Sequence, residues 1–315
     1  MTTAAARALG FADKDTGNLA LVVTEAATNL VKHAVGGQLL WRALECDHGA
    51  GLEILALDRG PGIPNVGECL RNGYSTAGSP GTGLGAIVRL ATEFDIYSLP
   101  GKGTALLARL WSGRLSGSRP ASALELGVVC LAKPGEQICG DGWTQVAQAD
   151  RQVLLLADGL GHGLDAAAAA QAAVQVLREH PALAPAALIE AAHAALRSTR
   201  GAALAAAELN PGQQAVRFAG VGNIAGVVFN AGSRRHLVSH NGTVGHTLRK
   251  VQEFSVPWSP GALLILHSDG LATHWDLTAY PGLVGRDPSL IAGVLYRDYT
   301  RGRDDVTVLV LKQRC

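Results

Sequence analysis

The chain has 315 residues, 27 basic and 26 acidic side chains for a net charge of +1, and 48% hydrophobic residues. That length accommodates two domains with a core each, and the balanced charge gives no reason to expect nucleic acid or an anionic membrane as the main partner. No signal-peptide pattern opens the chain, no apolar run reaches the ~20 residues of a membrane span, and Cys46, Cys69, Cys130, Cys139 and Cys315 form no CxxC or zinc spacing, so the expectation is a cytoplasmic protein with reduced thiols.

Residues 14–35 have the apolar period of a helix, with Leu19, Val22, Val23, Ala26, Leu30 and Val31 on one stripe. The chain thus opens on what reads as a first helix. Strands are expected at 37–45 and 51–58, a helix at 84–93, and strands at 94–99 and 104–111 joined by Pro100-Gly101-Lys102-Gly103. The small, polar stretch from Ser112 to Pro120 reads as a linker. Beyond it the spacing predicts strands at 124–132, 143–149 and 152–157, and helices at 164–179 and 185–199. Strands at 202–209, 214–219, 225–229 and 261–267, a helix at 288–299 and a strand at 305–312 complete the pattern. Strands, then helices, then strands again indicate an α+β protein rather than a parallel βαβ sheet. The expected division is 1–112, a linker at 113–121, and 122–315.

Three signals stand in order in the first part. Glu25 and Asn29 are four apart on the first helix and share a face, with His33 continuing the row. Asp58-Arg59-Gly60-Pro61-Gly62-Ile63 follows a strand, and Gly81-Thr82-Gly83-Leu84-Gly85 opens a helix. A Gly-rich loop at a helix N-terminus presents free N–H groups to a phosphate chain. The Asn29 amide oxygen suits Mg²⁺ shared with phosphates, and a carboxylate one turn away can act on an attacking hydroxyl. Asp58 can accept a hydrogen bond from an exocyclic amine such as that of adenine. Taken singly, the glycine run is a plain turn, the helix pair a solvated face and Asp58 a turn residue; the ordered triple is what carries weight.

These segments resemble the N, G1 and G2 boxes of the GHKL ATPases, and Gly101-Lys102-Gly103-Thr104 resembles their late Gly-x-Gly-Thr element. The compact spacing is similar to that of the anti-sigma-factor and switch serine kinases. The resemblance implies an N-terminal α/β sandwich of the Bergerat ATP-binding type, with Glu25 as general base and Asn29 as Mg²⁺ ligand. Asp58, with Gly60 and Gly62, would hold adenine; Gly81, Thr82, Gly83, Leu84 and Gly85 would cover the phosphates; Thr104 would lie near the adenine.

In the second part, acidic residues recur at strand ends. Asp141 lies in Cys139-Gly140-Asp141-Gly142, and Asp158-Gly159 follows the apolar run Val153–Ala157. Asp269-Gly270 follows Leu263–Ser268, and Asp304-Asp305 precedes Val306–Leu311. A single Asp-Gly is a turn by default. Several carboxylates at buried strand ends are costly unless neutralised, and Mg²⁺ or Mn²⁺ is the natural counter-ion. Two such ions can activate a water for attack on phosphorus. His162 reads either as a proton donor or, with greater weight, as a loop and capping residue; His267 reads as a packed strand residue.

This order, together with Asp158-Gly-Leu-Gly-His-Gly163, Gly220-Val221-Gly222-Asn223 and Arg303-Asp304-Asp305-x-Thr307, resembles the PPM-type phosphatases of the SpoIIE/RsbX branch. The resemblance implies a C-terminal αββα sandwich with two Mn²⁺ or Mg²⁺ ions. Asp158 would bridge them, with Asp141 and the Gly159 carbonyl on one, Asp269 and Asp304 on the other, and Asp305 outside the ligand set. The combination implies a bifunctional bacterial signalling regulator. It would hydrolyse phosphoserine or phosphothreonine on a STAS-type anti-anti-sigma or other anti-sigma-pathway protein, and bind ATP with Mg²⁺, with possible serine-kinase activity. The alternative is a partner-switching protein whose N-terminal domain binds ATP without phosphoryl transfer.

Overall fold

The computed structural model describes residues 2–46, 49–70, 83–112, 124–148, 151–230 and 232–313. Gly81, Thr82 and the expected linker 113–121 lie outside these. Contacts divide the chain into two compact units, Met1–Ala121 with Tyr280–Arg297, and Ser122–Ala279 with Asp298–Cys315. The fold is α+β in two domains, as the sequence implies.

The first unit contains α1 (Thr2–Ala8), α2 (Asp13–His33), β1 (Gln38–Cys46), β2 (Gly49–Leu57), α3 (Val66–Cys69), α4 (Gly83–Leu90), β3 (Glu93–Leu99) and β4 (Gly103–Trp111). Its strands form one antiparallel sheet in the order β1-β2-β4-β3. Side chains alternate across a strand, so Leu52, Ile54 and Ala56 share a face with Leu106, Ala108 and Leu110. That face packs on Leu19, Val22 and Ala26 of α2 and Ile87 of α4. The alternate residues Glu53, Leu55, Leu57, Leu107 and Arg109 are buried as well. An antiparallel sheet with one solvated face would leave them polar and wet.

What covers that second face is the late segment Tyr280–Arg297, which the sequence expectation placed with residues 122–315. A side chain at Gly293 would lie 3.0 Å from Leu57 Cδ2, so the glycine permits close approach of a helix to β2. Arg109 donates a forked pair of hydrogen bonds to Asp287, at 2.8 and 2.9 Å, and a further one to Ser289 Oγ at 3.1 Å. It also pairs with Glu53 at 2.7 Å and Glu93 at 2.9 Å. Burial pushes the Glu53 carboxyl upward, but Arg42 and Arg109 outweigh it and hold it at about 2.

The second unit contains β5 (Leu124–Leu131), β6 (Asp141–Ala147), β7 (Gln152–Gly159), α5 (Leu164–Glu179), α6 (Pro185–Ala195), β8 (Ala202–Asn210), β9 (Ala215–Val221) and β10 (Ala225–Asn230). After them come β11 (Ser233–Leu237), β12 (Glu253–Pro257), β13 (Leu263–His267) and β14 (Val306–Gln313), while α7 (Pro288–Tyr299) carries the chain across the boundary between the units. Two five-stranded sheets result, β11-β10-β13-β14-β5 and β12-β9-β8-β7-β6. Leu154, Leu156 and Phe218 from one meet Val128, Leu264 and Leu309 from the other in a shared core. The outer face of the second sheet packs Val153, Leu155 and Leu204 on Ala173 and Leu177 of α5 and Leu188 of α6. The alanine run of α5 lets helix and sheet backbones approach: a methyl group at Gly142 of β6 would lie 3.0 Å from Ala170 Cβ.

The buried strands and long helices fall where the periodicity puts them. The elements the pattern misses are α1, α3, β11 and β12. β11 is mostly exposed and charged, and β12 ends in proline at a sheet edge. β11 lacks the alternation that marks a half-buried strand, and β12 alternates for only five residues before its proline.

Candidate functional site

The acidic strand ends of the second unit meet. Asp141 opens β6 and Asp158 lies near the end of β7, directly opposite it in the ladder. The preceding residue is tied in too, the Gly159 N–H donating to the Gly140 carbonyl at 3.2 Å. Gly159 has no room for a side chain, since a Cβ there would lie 2.0 Å from the Ala166 carbonyl oxygen. The Asp-Gly pair is therefore a packing requirement as well as a turn. From the other sheet, Ser268 at the end of β13 donates to Asp141 Oδ2 at 2.7 Å and receives the Thr307 N–H at 2.9 Å. Asp269 is held by Asn223 Nδ2 at 2.7 Å. Asp304 Oδ1 accepts the Asp305 N–H at 3.0 Å, and Asp305 Oδ1 accepts the Lys133 N–H at 2.9 Å. A Cβ on Gly140 would lie 2.6 Å from Asp305 Oδ2, which puts that carboxylate against the Asp141 turn.

Electrostatics register the crowding. Burial, then the carboxylates of Asp141, Asp269, Asp304 and Asp305, push Asp158 up to about 8. Asp141 is pushed up to about 7, by burial first and also by Asp305 and Asp269, against the lowering effect of the Ser268 hydroxyl. Among the described residues no three His, Cys, Asp or Glu side chains are placed so that they could hold a metal ion as they stand; the carboxylates are neighbours rather than a focused ligand set. Two of their oxygens, Asp141 Oδ1 and Asp305 Oδ2, are buried without a hydrogen-bond donor. Orphaned carboxylate oxygens among mutually repelling carboxylates fit a hard divalent cation.

In the first unit, Glu25 and Asn29 of α2 face the start of α4. A Cβ on Gly83 would lie 2.7 Å from Glu25 Oε2 and 3.6 Å from Asn29 Oδ1, so the first and third motifs are neighbours, with Leu84 and Gly85 continuing α4. Asp58 follows β2 and bonds through its N–H to the Thr104 carbonyl at 2.9 Å. Its Oδ1 accepts the Gly60 N–H at 2.6 Å. A Cβ on Gly60 would also lie 2.8 Å from the His33 carbonyl oxygen, which places the Asp58 turn at the end of α2, one turn beyond Asn29. Gly62 has a positive φ of 75°, and a Cβ there would lie 2.4 Å from the Leu99 carbonyl oxygen. Thr104 Oγ1 and Ser98 Oγ are 2.9 Å apart, and Ser98 Oγ accepts the Ile63 N–H at 2.7 Å. Gly81 and Thr82 lie outside the described residues.

Sequence reasoning missed several of these groups. Ser268 stands inside the quoted Ser-Asp-Gly triplet, and Asn223 inside Gly-Val-Gly-Asn, yet neither had a role. Arg297, whose Nη1 donates to the carbonyl oxygens of Asp58 at 2.9 Å and Thr104 at 3.4 Å, carries no local signal. His162 pairs with Glu136 at 2.8 Å and is half exposed, a contact between loops.

His267 is a packed strand residue, as expected. Its Nδ1–H donates to the Ser268 carbonyl at 2.9 Å and its Nε2 accepts from Trp275 at 3.2 Å, which fixes the neutral ring. Burial holds its pKa at about 4, against 6.5 in the unfolded chain. The unfolded chain then takes up a proton that the native ring refuses, so this contribution to stability is lost as pH falls through 6.5 toward 4. The thermal midpoint of wild type should drop over that window more steeply than that of His267→Gln; parallel curves would remove His267 from the account.

Comparison with known proteins divides the chain by sequence, with Tyr280–Arg297 falling in the C-terminal match. The Stage II sporulation protein E (SpoIIE) family model matches residues 148–314, and the Histidine kinase-like ATPase domain model matches residues 1–110. Serine/threonine-protein kinase RsbT of Bacillus subtilis (strain 168) is 36% identical over 106 residues, 34% of this chain and 80% of RsbT. Phosphoserine phosphatase RsbX of the same organism is 25% identical over 181 residues, 57% of this chain and 90% of RsbX. A crystal structure of RsbX in complex with magnesium superposes with a TM-score of 0.53 at 22% identity, over 61% of this chain and 96% of that one, which speaks to the fold. With more than half its length matched, the chain belongs to the SpoIIE family of PPM-type serine/threonine phosphatases, joined here to a histidine kinase-like ATPase domain.

Proposed function

We propose that this protein is a cytoplasmic partner-switching regulator that removes phosphate from serine or threonine on a STAS-domain or related anti-sigma-pathway protein, and whose N-terminal domain binds MgATP and phosphorylates serine. The observation that carries the phosphatase half is the meeting of Asp141 and Asp158 with Asp269, Asp304 and Asp305, each raising Asp158 by its charge. In this reading Asp141, Asp158, the Gly159 carbonyl, Asp269 and Asp304 would hold two Mn²⁺ or Mg²⁺ ions, with Asp158 between the two sets. Asp305, with a buried free oxygen, stands beside them. The ions, when bound, supply an activated water and neutralise phosphoryl charge. The chain's own part is to hold its carboxylates in register: Ser268 orients Asp141 and Asn223 orients Asp269, as hydrogen-bonded supports of metal ligands commonly do.

For the N-terminal half, the proximity of Gly83 to Glu25 and Asn29 supports a phosphate chain seated at the start of α4, with Asn29 on Mg²⁺ and Glu25 beside the attacking hydroxyl. Asp58, bonded to Gly60 and Thr104, would form the adenine end together with Gly62. A kinase relative and a phosphatase relative matched by one chain support a shared target for both halves. The test is transfer from γ-labelled ATP to a purified STAS protein. Glu25→Ala should lower transfer about 10²- to 10⁴-fold, the range for losing a general base, with ATP affinity retained. ATP binding without any transfer by wild type would instead establish the alternative, an anti-sigma-like binder that uses ATP as a structural ligand.

A further inference from the structure

Two thiols stand next to the carboxylate cluster and the reaction makes no use of them. Cys130 lies on β5, opposite Thr307 in the β5–β14 ladder, and packs against the core between the sheets. Cys139 lies in the loop before β6, one residue from Gly140 and two from Asp141. Their sulfur atoms are 3.7 Å apart. Both cysteines are free and only half buried, so a small oxidant reaches them. We propose that Cys130 and Cys139 form a reversible disulfide on exposure to a hydroperoxide and that this bond disables the neighbouring metal site. The effect on catalysis rests on the phosphatase reading above; the disulfide itself does not.

The chemistry balances with peroxide as the oxidant. One thiol gives up its proton and the thiolate attacks an oxygen of hydrogen peroxide; the S–O bond forms as the O–O bond breaks, and the departing hydroxide takes up that proton and leaves as water, giving a sulfenic acid. The second thiol attacks that sulfur, the S–O bond breaks and a second water leaves. The two sulfurs together lose two electrons and the peroxide oxygens gain them.

The mechanical consequence follows from where the two residues are anchored. A disulfide needs its sulfurs at about 2.05 Å, well inside their present separation. Cys130 is fixed by ladder bonds on β5, so the Cys139 loop must give. Gly140 moves with it, and Gly140 is tightly placed. Its carbonyl accepts the Gly159 N–H, and its Cα faces Asp305 so closely that a methyl group there would lie 2.6 Å from Oδ2. Displacing Gly140 shifts Asp141 from its 2.7 Å bond with Ser268 and disturbs Asp158 opposite.

The experiment uses the full chain, reduced and then treated with hydrogen peroxide in the absence of metal. Three readouts are taken: peptide mapping by mass, Mn²⁺ binding by the electron paramagnetic resonance of the free ion, and hydrolysis of p-nitrophenyl phosphate. The expected result is a Cys130–Cys139 linked peptide and loss of two of the five thiols. Mn²⁺ half-saturation should rise at least tenfold, and dithiothreitol should reverse it. Cys130→Ser and, independently, Cys139→Ala should bind Mn²⁺ as reduced wild type does and ignore peroxide, while Cys69→Ser stays sensitive. A disulfide drawn from other cysteines overturns the proposal, as does a Cys130–Cys139 bond that leaves Mn²⁺ binding unchanged. If the reduced chain binds Mn²⁺ but hydrolyses no phosphomonoester, the phosphatase reading fails while Mn²⁺ binding still decides the switch. A reduced chain that binds no Mn²⁺ sinks both.

Discussion

Asp158→Asn should abolish Mn²⁺-dependent hydrolysis of p-nitrophenyl phosphate and of a phosphoserine peptide, by about three orders of magnitude or ~4 kcal/mol of transition-state stabilisation, while making the metal-free protein more stable at pH 8. The two effects share a cause. Asp158 is buried among Asp141, Asp269, Asp304 and Asp305 and is pushed up to about 8 from 3.8. Because the native value lies above the unfolded one, the metal-free native state holds a proton that the unfolded chain has released. Stability from this group is therefore fully present below pH 4 and lost as pH climbs toward 8. The amide removes the repelling charge and flattens that loss. A divalent cation does the same for wild type by binding the native state alone, and it must displace protons, so its affinity should rise as pH passes through 7 to 8. Melting curves at pH 6 and 8, with and without Mn²⁺, together with Mn²⁺-titrated kinetics, check every part. Equal activity of the variant, or a variant less stable than wild type at pH 8 without metal, would break the link between carboxylate crowding and catalysis.

The same crowding explains why so much of this site was legible in advance. A carboxylate after a run such as Val153–Ala157 is conspicuous because the run itself announces burial, and burial of an unpaired charge needs a reason. The glycine after it is conspicuous because it is required: Gly159 and Gly270 both back onto carbonyl oxygens at 2.0 Å from any Cβ. Ser268 and Asn223 were invisible as supports because a hydroxyl or amide at a strand end has many uses, and only the fold shows which carboxylate each meets. Asp305, placed outside the ligand set on resemblance, is buried, with one oxygen on the Lys133 N–H and the other without a donor. The grouping of Tyr280–Arg297 with the N-terminal sheet could not be read at all. Its helix was legible at 288–299, but a periodic pattern states that a helix has buried faces, not what covers them. Pro288 through Arg297 are all buried, which removes the polar stripe that would have oriented the helix. Glu53 and Arg109 were no more informative, since charged residues inside an alternating strand read as its solvent face.

Those charged residues set the largest expected loss of stability. Arg109→Leu should destabilise the first unit by about 3–5 kcal/mol, the range for breaking a buried ion pair on one side. Arg109 serves Glu53, Glu93, Asp287 and Ser289 together. Leucine fills part of the volume but leaves the Glu53 carboxylate, 1% exposed, with Arg42 as its remaining basic partner, and leaves Asp287 without its forked donor. Arg109→Lys keeps the charge and loses the fork, and should cost less, about 1–2 kcal/mol. The pH dependence separates loss of charge pairing from loss of packing. Glu53 is held at about 2, below its ordinary 4.5, so its contribution is present above pH 4.5 and lost as pH falls toward 2. In Arg109→Leu that slope should flatten, and the deficit against wild type should shrink as pH falls below 4.5, where the variant and the unfolded chain take up the proton that wild-type Glu53 refuses. Adding Glu53→Gln should recover part of the loss, because it removes the stranded charge while keeping the shape. Calorimetric melts of the four proteins from pH 3 to 7, with hydrogen exchange followed at 288–297, supply the measurement. If the deficit is constant across pH and Glu53→Gln restores nothing, the network acts by packing alone. The second face of the sheet is then held to α7 by its leucines, not by its charges.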